Sequence, residues 1–253
     1  MSERRAPRLY IETELTPAAV IELTRPQTHH LRTVLRLSIG AAVSAFNAAD
    51  GEWLCHITEI GRNGMALAVE NPIRAAEAEP DLWLLFAPVK RARLDWLVEK
   101  ATELGVSALL PVWTRRTQIE RLNLDRLRAH AVAAAEQTER LSVPELREPQ
   151  VLDHVLTDWA ADRSLLVCDE TGAGEPIVEA AARLARRPMA LLTGPEGGFA
   201  ETELDYLGKL SFVIRIGLGP RVLRADTAAL AALAALQAVA GDWRHARTGR
   251  ASS

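Results

Sequence analysis

The stretch Leu191-Leu192-Thr193-Gly194-Pro195-Glu196-Gly197-Gly198-Phe199 runs from a continuous apolar segment into glycine, proline and acid, and then into a helix-forming segment. A short apolar run bounded in this way reads as a strand buried on both faces, ending in a loop at its carboxyl end. Outward from it the same alternation repeats. Strands are predicted over 82–86, 108–112, 164–168, 189–193 and 212–216, and helices over 91–104, 125–140, 176–186, 200–207 and 226–240. Alternation of this kind predicts an α/β domain, a mostly parallel sheet with helices on both faces, whose ligands sit beyond the carboxyl ends of the strands. The helix over 91–104 puts Leu94, Leu97, Val98, Ala101 and Leu104 on one face, and Gly105 supplies its stop.

Before residue 74 the pattern is different. Short β-prone runs over 9–11, 42–46, 52–60 and 65–69 are separated by Ala49-Asp50-Gly51 and Arg62-Asn63-Gly64, which are hairpin signals, with one helix over 26–35. That predicts a small β-barrel over 1–73. Residues 74–80, with no apolar periodicity beyond alanine and a closing proline, read as a linker; 81–243 is the α/β domain, and the tail 244–253, without an apolar anchor, is expected to be disordered.

At 253 residues, 48% hydrophobic and 25% charged, the chain has the composition of a globular protein and not of a collagen, a coiled coil or a disordered segment. Cys55 and Cys168 lie in apolar runs and are expected to be buried free thiols, as in a reducing cytoplasm. The first residues carry charge with no apolar stretch behind them, and the most apolar run, 228–240, is too short to cross a bilayer, so no membrane partner is expected. A net charge of -3 excludes general attraction to nucleic acid, so any basic surface must be local. Apart from Lys90, Lys100 and Lys209 every cationic side chain is arginine, the type suited to bidentate phosphate contact. On composition alone a GC-rich genome, which also supplies the abundant alanine, explains that bias better, and position has to decide.

Three constellations could carry chemistry. The loop Gly194-Pro195-Glu196-Gly197-Gly198 lets a ligand approach backbone amides closely, yet it lacks the spacing of a phosphate loop, and Glu196 would repel a phosphate. A neutral or cationic ligand fits better. The second loop, Ile216-Gly217-Leu218-Gly219-Pro220-Arg221-Val222-Leu223-Arg224-Ala225-Asp226-Thr227, also follows a buried strand; Asp226 or Thr227 reads as an N-cap, and Arg221 with Arg224 forms a cationic spot beside the glycines. Two such loops predict one shared pocket. The third set, the expected RNA contacts, is Lys90, Arg91, Lys100, Arg115, Arg116 and Arg140 with Arg8, His29, His30, Arg32 and Arg36 nearer the N-terminus; taken singly, each is more often a solvated charge. His29-His30 lacks metal-ligand spacing, and no metal site is expected.

Taken together, the motifs carry a resemblance that covers nearly the whole chain. His29-His30-Leu31-Arg32-Thr33-Val34-Leu35-Arg36, Lys100 to Val106 with Pro111 and Arg115-Arg116, Ala135-Glu136-Gln137 with Arg140 and Pro144, the first glycine loop, and Leu218 to Arg224 with Thr227-Ala228 occur in the order of a known family. The chain resembles the bacterial small-subunit (16S) ribosomal RNA uridine N3-methyltransferases of the SPOUT superfamily. Where that family's pattern has Glu, this chain has Asp226, which keeps the charge and shortens its reach by a methylene.

The resemblance implies a PUA-like barrel that helps hold RNA and a SPOUT-type α/β domain with a C-terminal trefoil knot, binding S-adenosylmethionine without metal and acting as a homodimer on 16S ribosomal RNA in the small subunit. It also implies that Thr193, Gly194, Pro195, Glu196, Gly197 and Gly198, with Ile216, Gly217, Leu218, Gly219, Leu223 and Thr227, hold the cofactor. Methyl transfer to N3 needs the N3 proton removed, which Asp226 or Glu196 would accept while Arg224 stabilises the charge left on the base. Two other readings stay open here: a non-catalytic RNA-binding protein, and a SPOUT enzyme acting on another RNA position.

Overall fold

The computed structural model describes residues 6–62, 64–184 and 187–244. The chain forms two compact units, one of residues up to Ala78 together with Ala135–Val143, the other of Glu79–Ala134 and the chain from Pro144 onward. The segment 135–143, read from sequence as part of the α/β domain, thus groups with the first unit.

The first unit is built on strands β1 (Arg8–Tyr10), β2 (Val20–Glu22), β3 (Ala42–Asn47), β4 (Gly51–Ile60) and β5 (Met65–Arg74) in the order β1-β3-β4-β5-β2. β1 pairs parallel with β3, and the other pairs are antiparallel. Among the described residues β1 and β2 are not paired with each other, so the expected barrel is a sheet with those strands at its two ends. Three register shifts along β4 and β5 bend it. Leu9, Val43, Ala45, Cys55, Ile57, Leu67 and Val69 point into one core, plugged by Leu31. Leu31 lies on a π-helical turn, His30–Val34, that continues helix α1 (Arg25–His29), where the sequence predicts one regular helix. β2 escaped the sequence reading because only Ile21 of its three residues is buried. The Asp50-Gly51 turn joins β3 to β4 as expected; Asn63 of the second hairpin lies outside the described residues.

The second unit contains β6 (Leu82–Phe86), α2 (Arg91–Glu103), β7 (Ala108–Trp113), α3 (Leu124–Gln137, whose last turn belongs to the first unit), β8 (Glu145–Leu146), β9 (Gln150–Val151), α4 (Leu152–Thr157), β10 (Ser164–Cys168), β11 (Glu175–Pro176), α5 (Ile177–Ala182), β12 (Met189–Thr193), α6 (Glu201–Leu207), β13 (Val213–Gly217) and α7 (Ala225–Val239). The sheet order is β11-β13-β10-β12-β6-β7-β8, with β9 beside β7 and every pair parallel. Leu85, Leu110, Val112, Val167 and Leu192 form a core with Leu152 and Leu156 of α4 and Leu204 and Leu207 of α6. α7 packs against β10 and β12 and against α2 and α5. The helix stop at Gly105 is sealed by Gln237 of α7, fully buried, whose Nε2 donates to the Leu104 carbonyl at 2.7 Å. Asp242–Arg244 forms a short turn, and the rest of the expected disordered tail lies outside the described residues.

Candidate active site

The two glycine loops do face one cavity, of about 670 Å³, at the carboxyl ends of the sheet. They do not come from neighbouring strands. β10 lies between β12 and β13, so the loop after β10, residues 169–174, completes the cavity wall. The sequence reading missed this loop. Its signal was the one used for the other two, a buried strand ending in Asp169-Glu170-Thr171-Gly172.

Asp169 anchors this middle loop. Its carboxylate, wholly buried, accepts from the Thr171 amide and hydroxyl at 2.8 and 2.7 Å and from Arg215 Nε at 2.8 Å. Burial alone would raise its pKa, but the Thr171 hydrogen bonds and the Arg215 guanidinium outweigh that and hold it below the ordinary carboxylate value. Glu170 ties the middle loop to the first: its Oε1 accepts the Phe199 amide at 2.9 Å. Gly198, at φ +66°, sits so that a Cβ would collide with that carboxylate. Cys168 lies in the cavity wall, but burial pushes its thiol up to about 12, so it is no nucleophile at neutral pH. Both cysteines are buried and free.

Of the residues predicted to hold a ligand, Thr193, Gly194, Pro195, Glu196, Gly198, Ile216, Gly217, Leu218, Gly219 and Leu223 line the cavity. Gly197 does not; its carbonyl accepts Arg116 Nη1 at 2.9 Å, and a Cβ there would have ordinary room. Thr227 also stands off the wall, where Ala225 and Ala228 take its place. Arg224, not Asp226 or Thr227, is the N-cap of α7. Asp226 is half-buried in the first turn, accepts the Thr227 amide at 3.0 Å and is absent from the cavity lining. Arg224 and Arg221 line the cavity and are exposed. Glu196 is exposed on the opposite loop, with Oε1 3.5 Å from the Lys90 amide.

The basic candidates divide sharply. Lys90, Arg91, Arg115 and Arg116 are exposed where β6 and β7 end, and Arg116 reaches the glycine loop itself. Lys100 is instead paired with Glu99 and Glu103 on its own helix, at 2.7 and 2.6 Å. In the first unit His29, His30, Arg32 and Arg36 are exposed around the π turn. Arg8 is not available to RNA: its side chain, 7% exposed, stacks 4.0 Å over Phe46, pairs with Glu52 and donates to the carbonyls of Ala135, Glu136 and Arg140. Arg140 is half-buried and donates to Ser142 Oγ. Among the described residues no cluster of His, Cys, Asp and Glu could hold a metal, and no helix is long and apolar enough to cross a membrane.

Residues 77–237 match the RNA methyltransferase domain family, and residues 23–70 match the RNA methyltransferase PUA domain. The chain belongs to the RNA methyltransferase family. A relative of this RNA methyltransferase from Rickettsia conorii, ribosomal RNA small subunit methyltransferase E, is 31% identical over 229 residues, covering 90% of this chain and 93% of its own. Among solved structures, ribosomal RNA small subunit methyltransferase E from Neisseria gonorrhoeae bound to S-adenosyl methionine superposes with a TM-score of 0.85 at 25% identity, covering 94% of this chain and all of that one. A putative methyltransferase from Legionella pneumophila in complex with the cofactor gives 0.84 at 28% identity, with the same coverage. The RNA methyltransferase fold is thus an α/β domain with a PUA-like domain at its N-terminal end.

Proposed function

We propose that this RNA methyltransferase transfers a methyl group from S-adenosylmethionine to N3 of a uridine in small-subunit (16S) ribosomal RNA, in the cytoplasm. The observation that carries the reading is the three-loop cavity after β10, β12 and β13. Its volume of about 670 Å³ lies in the range of small-molecule sites. Pro195, Ile216, Leu218, Leu223 and Ala228 offer apolar surface for a nucleoside, while the Glu170 and Glu196 carboxylates suit a cationic sulfonium as they would not suit a phosphate. Both observations fit the cofactor.

When bound, S-adenosylmethionine supplies an electrophilic methyl group. The chain's own residues have to orient the base and manage its proton. Because N3 lies on the pairing edge, the target uridine must be unpaired or turned out of its stack. Glu196, exposed at the cavity mouth, is the side chain assigned to accept the N3 proton in preference to Asp226, which lies off the cavity wall. Arg224, across the cavity, would hold the negative charge left on the uracil carbonyls. His29, His30, Arg32 and Arg36 in the first unit and Lys90, Arg91, Arg115 and Arg116 in the second form the proposed RNA contacts, confined patches on a chain of net charge -3.

The reading includes a homodimer and a trefoil knot in the second unit. One face of α7, with Ala229, Ala232, Leu233 and Leu236, is used inside the fold, which leaves the other, with Ala231 and Ala238 exposed, for the dimer. Support also comes from Val222, 81% exposed beside the cavity. The knot is supported by the order β13-β10-β12, which makes the chain cross β10 between two cavity loops. The deciding experiment gives the purified protein labelled S-adenosylmethionine and small ribosomal subunits from a strain lacking its gene, then maps the RNA by mass. A methyl on uracil N3 is the expected result; none in the RNA, or one on a ribose hydroxyl, overturns the reading.

A further inference from the structure

A second, smaller cavity of about 320 Å³ opens next to the first, and no part of the methyl-transfer chemistry uses it. Its floor is apolar, made by Val89, Leu94, Ile119 and Leu122, of which Val89 and Leu94 are 2% exposed. Its rim is cationic. Arg91 and Arg121 are exposed and, among the described residues, neither side chain has a hydrogen-bond or ion-pair partner. Arg126 on the same wall donates to Asp95 through Nη1 at 2.8 Å, while its Nε is buried without a partner. Asp95 Oδ2 is thus taken by Arg126, and the side chains of Arg91 and Arg121 carry no ion pair among the described residues, over an apolar floor.

Position gives the cavity its meaning. The Lys90 amide faces Glu196 of the large cavity, whereas Val89 and Arg91, its chain neighbours, line the small one. The stretch 89–91 thus links the lining of the small cavity to Glu196 in the lining of the large one. An apolar slot rimmed by unpaired guanidinium groups matches a nucleotide, whose base has a flat apolar face and whose phosphate accepts the arginine fork. We propose that this cavity binds the nucleotide next to the methylated uridine in the RNA chain, Arg91 and Arg121 gripping its phosphate and the floor receiving its base. The inference rests on the uridine methylation proposed above and adds a specificity site to it. Of these residues only Arg91 was visible as a candidate in the sequence; Arg121, Ile119 and Leu122 owe their place to the fold.

Two variants test it on intact protein with small ribosomal subunits from the gene-deleted strain: Arg121→Ala, which removes one phosphate contact, and Ile119→Trp, which fills the slot and keeps the charge. Each is expected to weaken subunit binding about tenfold while leaving S-adenosylmethionine affinity and the saturated transfer rate within about twofold. Arg121→Ala should also flatten the dependence of log affinity on log salt by about 0.7 to 0.9, the share of one phosphate, and Ile119→Trp should leave that slope unchanged. Unaltered subunit affinity in both variants overturns the proposal, as does an Arg121→Ala slope equal to wild type. Loss of cofactor affinity alongside RNA affinity assigns the cavity to the scaffold and overturns it too. Should wild-type protein fail to methylate the subunits at all, the underlying function falls and this inference with it, an outcome separate from active enzyme with indifferent variants.

Discussion

Two adjacent glycines in the first cavity loop have opposite tolerances. Gly198 holds φ +66° over the Glu170 carboxylate, whereas a Cβ on Gly197 would meet only Arg116 at 3.8 Å. Gly198→Ala should therefore cost about 1–3 kcal/mol of strain and displacement and weaken S-adenosylmethionine binding at least tenfold, while Gly197→Ala binds nearly as wild type; calorimetry on both variants makes the comparison. Sequence spacing marks both glycines alike, because only the backbone path tells which one turns left-handed. Arg224 gives the sharper functional test. It lines the cavity and its side chain has no partner among the described residues, so Arg224→Ala should leave RNA affinity within about threefold and slow single-turnover methyl transfer at saturating RNA by about a hundredfold. Equal transfer rates would remove Arg224 from the chemistry.

At the scale of elements, the loops are held by buried acids. Glu203, 5% exposed at the start of α6, accepts the Ala200 amide at 2.8 Å and the Arg115 amide at 2.7 Å, joining the α6 N-terminus to the arginine-bearing loop after β7. Glu203→Ala leaves two part-buried amide donors without their carboxylate and should cost about 1–3 kcal/mol in urea denaturation, with Glu203→Gln costing less. Asp169 secures the loop after β10, and its lowered pKa fixes the sign of the pH effect. Its contribution is complete above the ordinary value of 3.8 and disappears as pH falls through the lower folded-state value. Asp169→Asn should thus be less stable than wild type at neutral pH, and the gap should close on acidification; urea midpoints along a pH series measure it. Most strands and helices after residue 80 were legible because they are apolar or amphipathic runs, whereas the six-residue α4 was not read. β8, β9 and β11, two residues each, carry no period at all and are made by pairing with strands distant in sequence. The loop after β10 went unread for a related reason: sequence gives chain order, and only the sheet order puts β10 between the two glycine loops.

For the whole molecule, charge and self-association are the measurable properties. With RNA held by the proposed arginine patches of a chain of net charge -3, affinity should fall steeply as salt rises, and Arg32→Ala with Arg36→Ala should shrink that slope without touching transfer at saturation. Val222→Asp should convert the proposed homodimer to a monomer in light scattering, since it places a charge in the exposed apolar contact. The composition arithmetic could not distinguish such patches from scattered surface charge. It could not foresee Arg8 either, whose partners at Ala135, Glu136 and Arg140 lie more than 120 residues away.

That grip on a distant segment sets a timetable for synthesis. The first unit consists of residues up to Ala78 plus Ala135–Val143, and Phe46 shares its cluster with Ala135 and Leu141. As the chain leaves the ribosome, the β-sheet can form early, but the backbone acceptors of Arg8 and the cover of Phe46 by Ala135 and Leu141 must wait for about sixty more residues to be made. During that interval a charged group and an aromatic surface stand open to solvent and to other nascent chains, and α2 and β7 must emerge before the closing strap arrives. Stalled chains of which only residues up to about 80 have cleared the exit tunnel should accordingly be cut by protease within the N-terminal sheet, and chains with residue 143 also clear of it should resist.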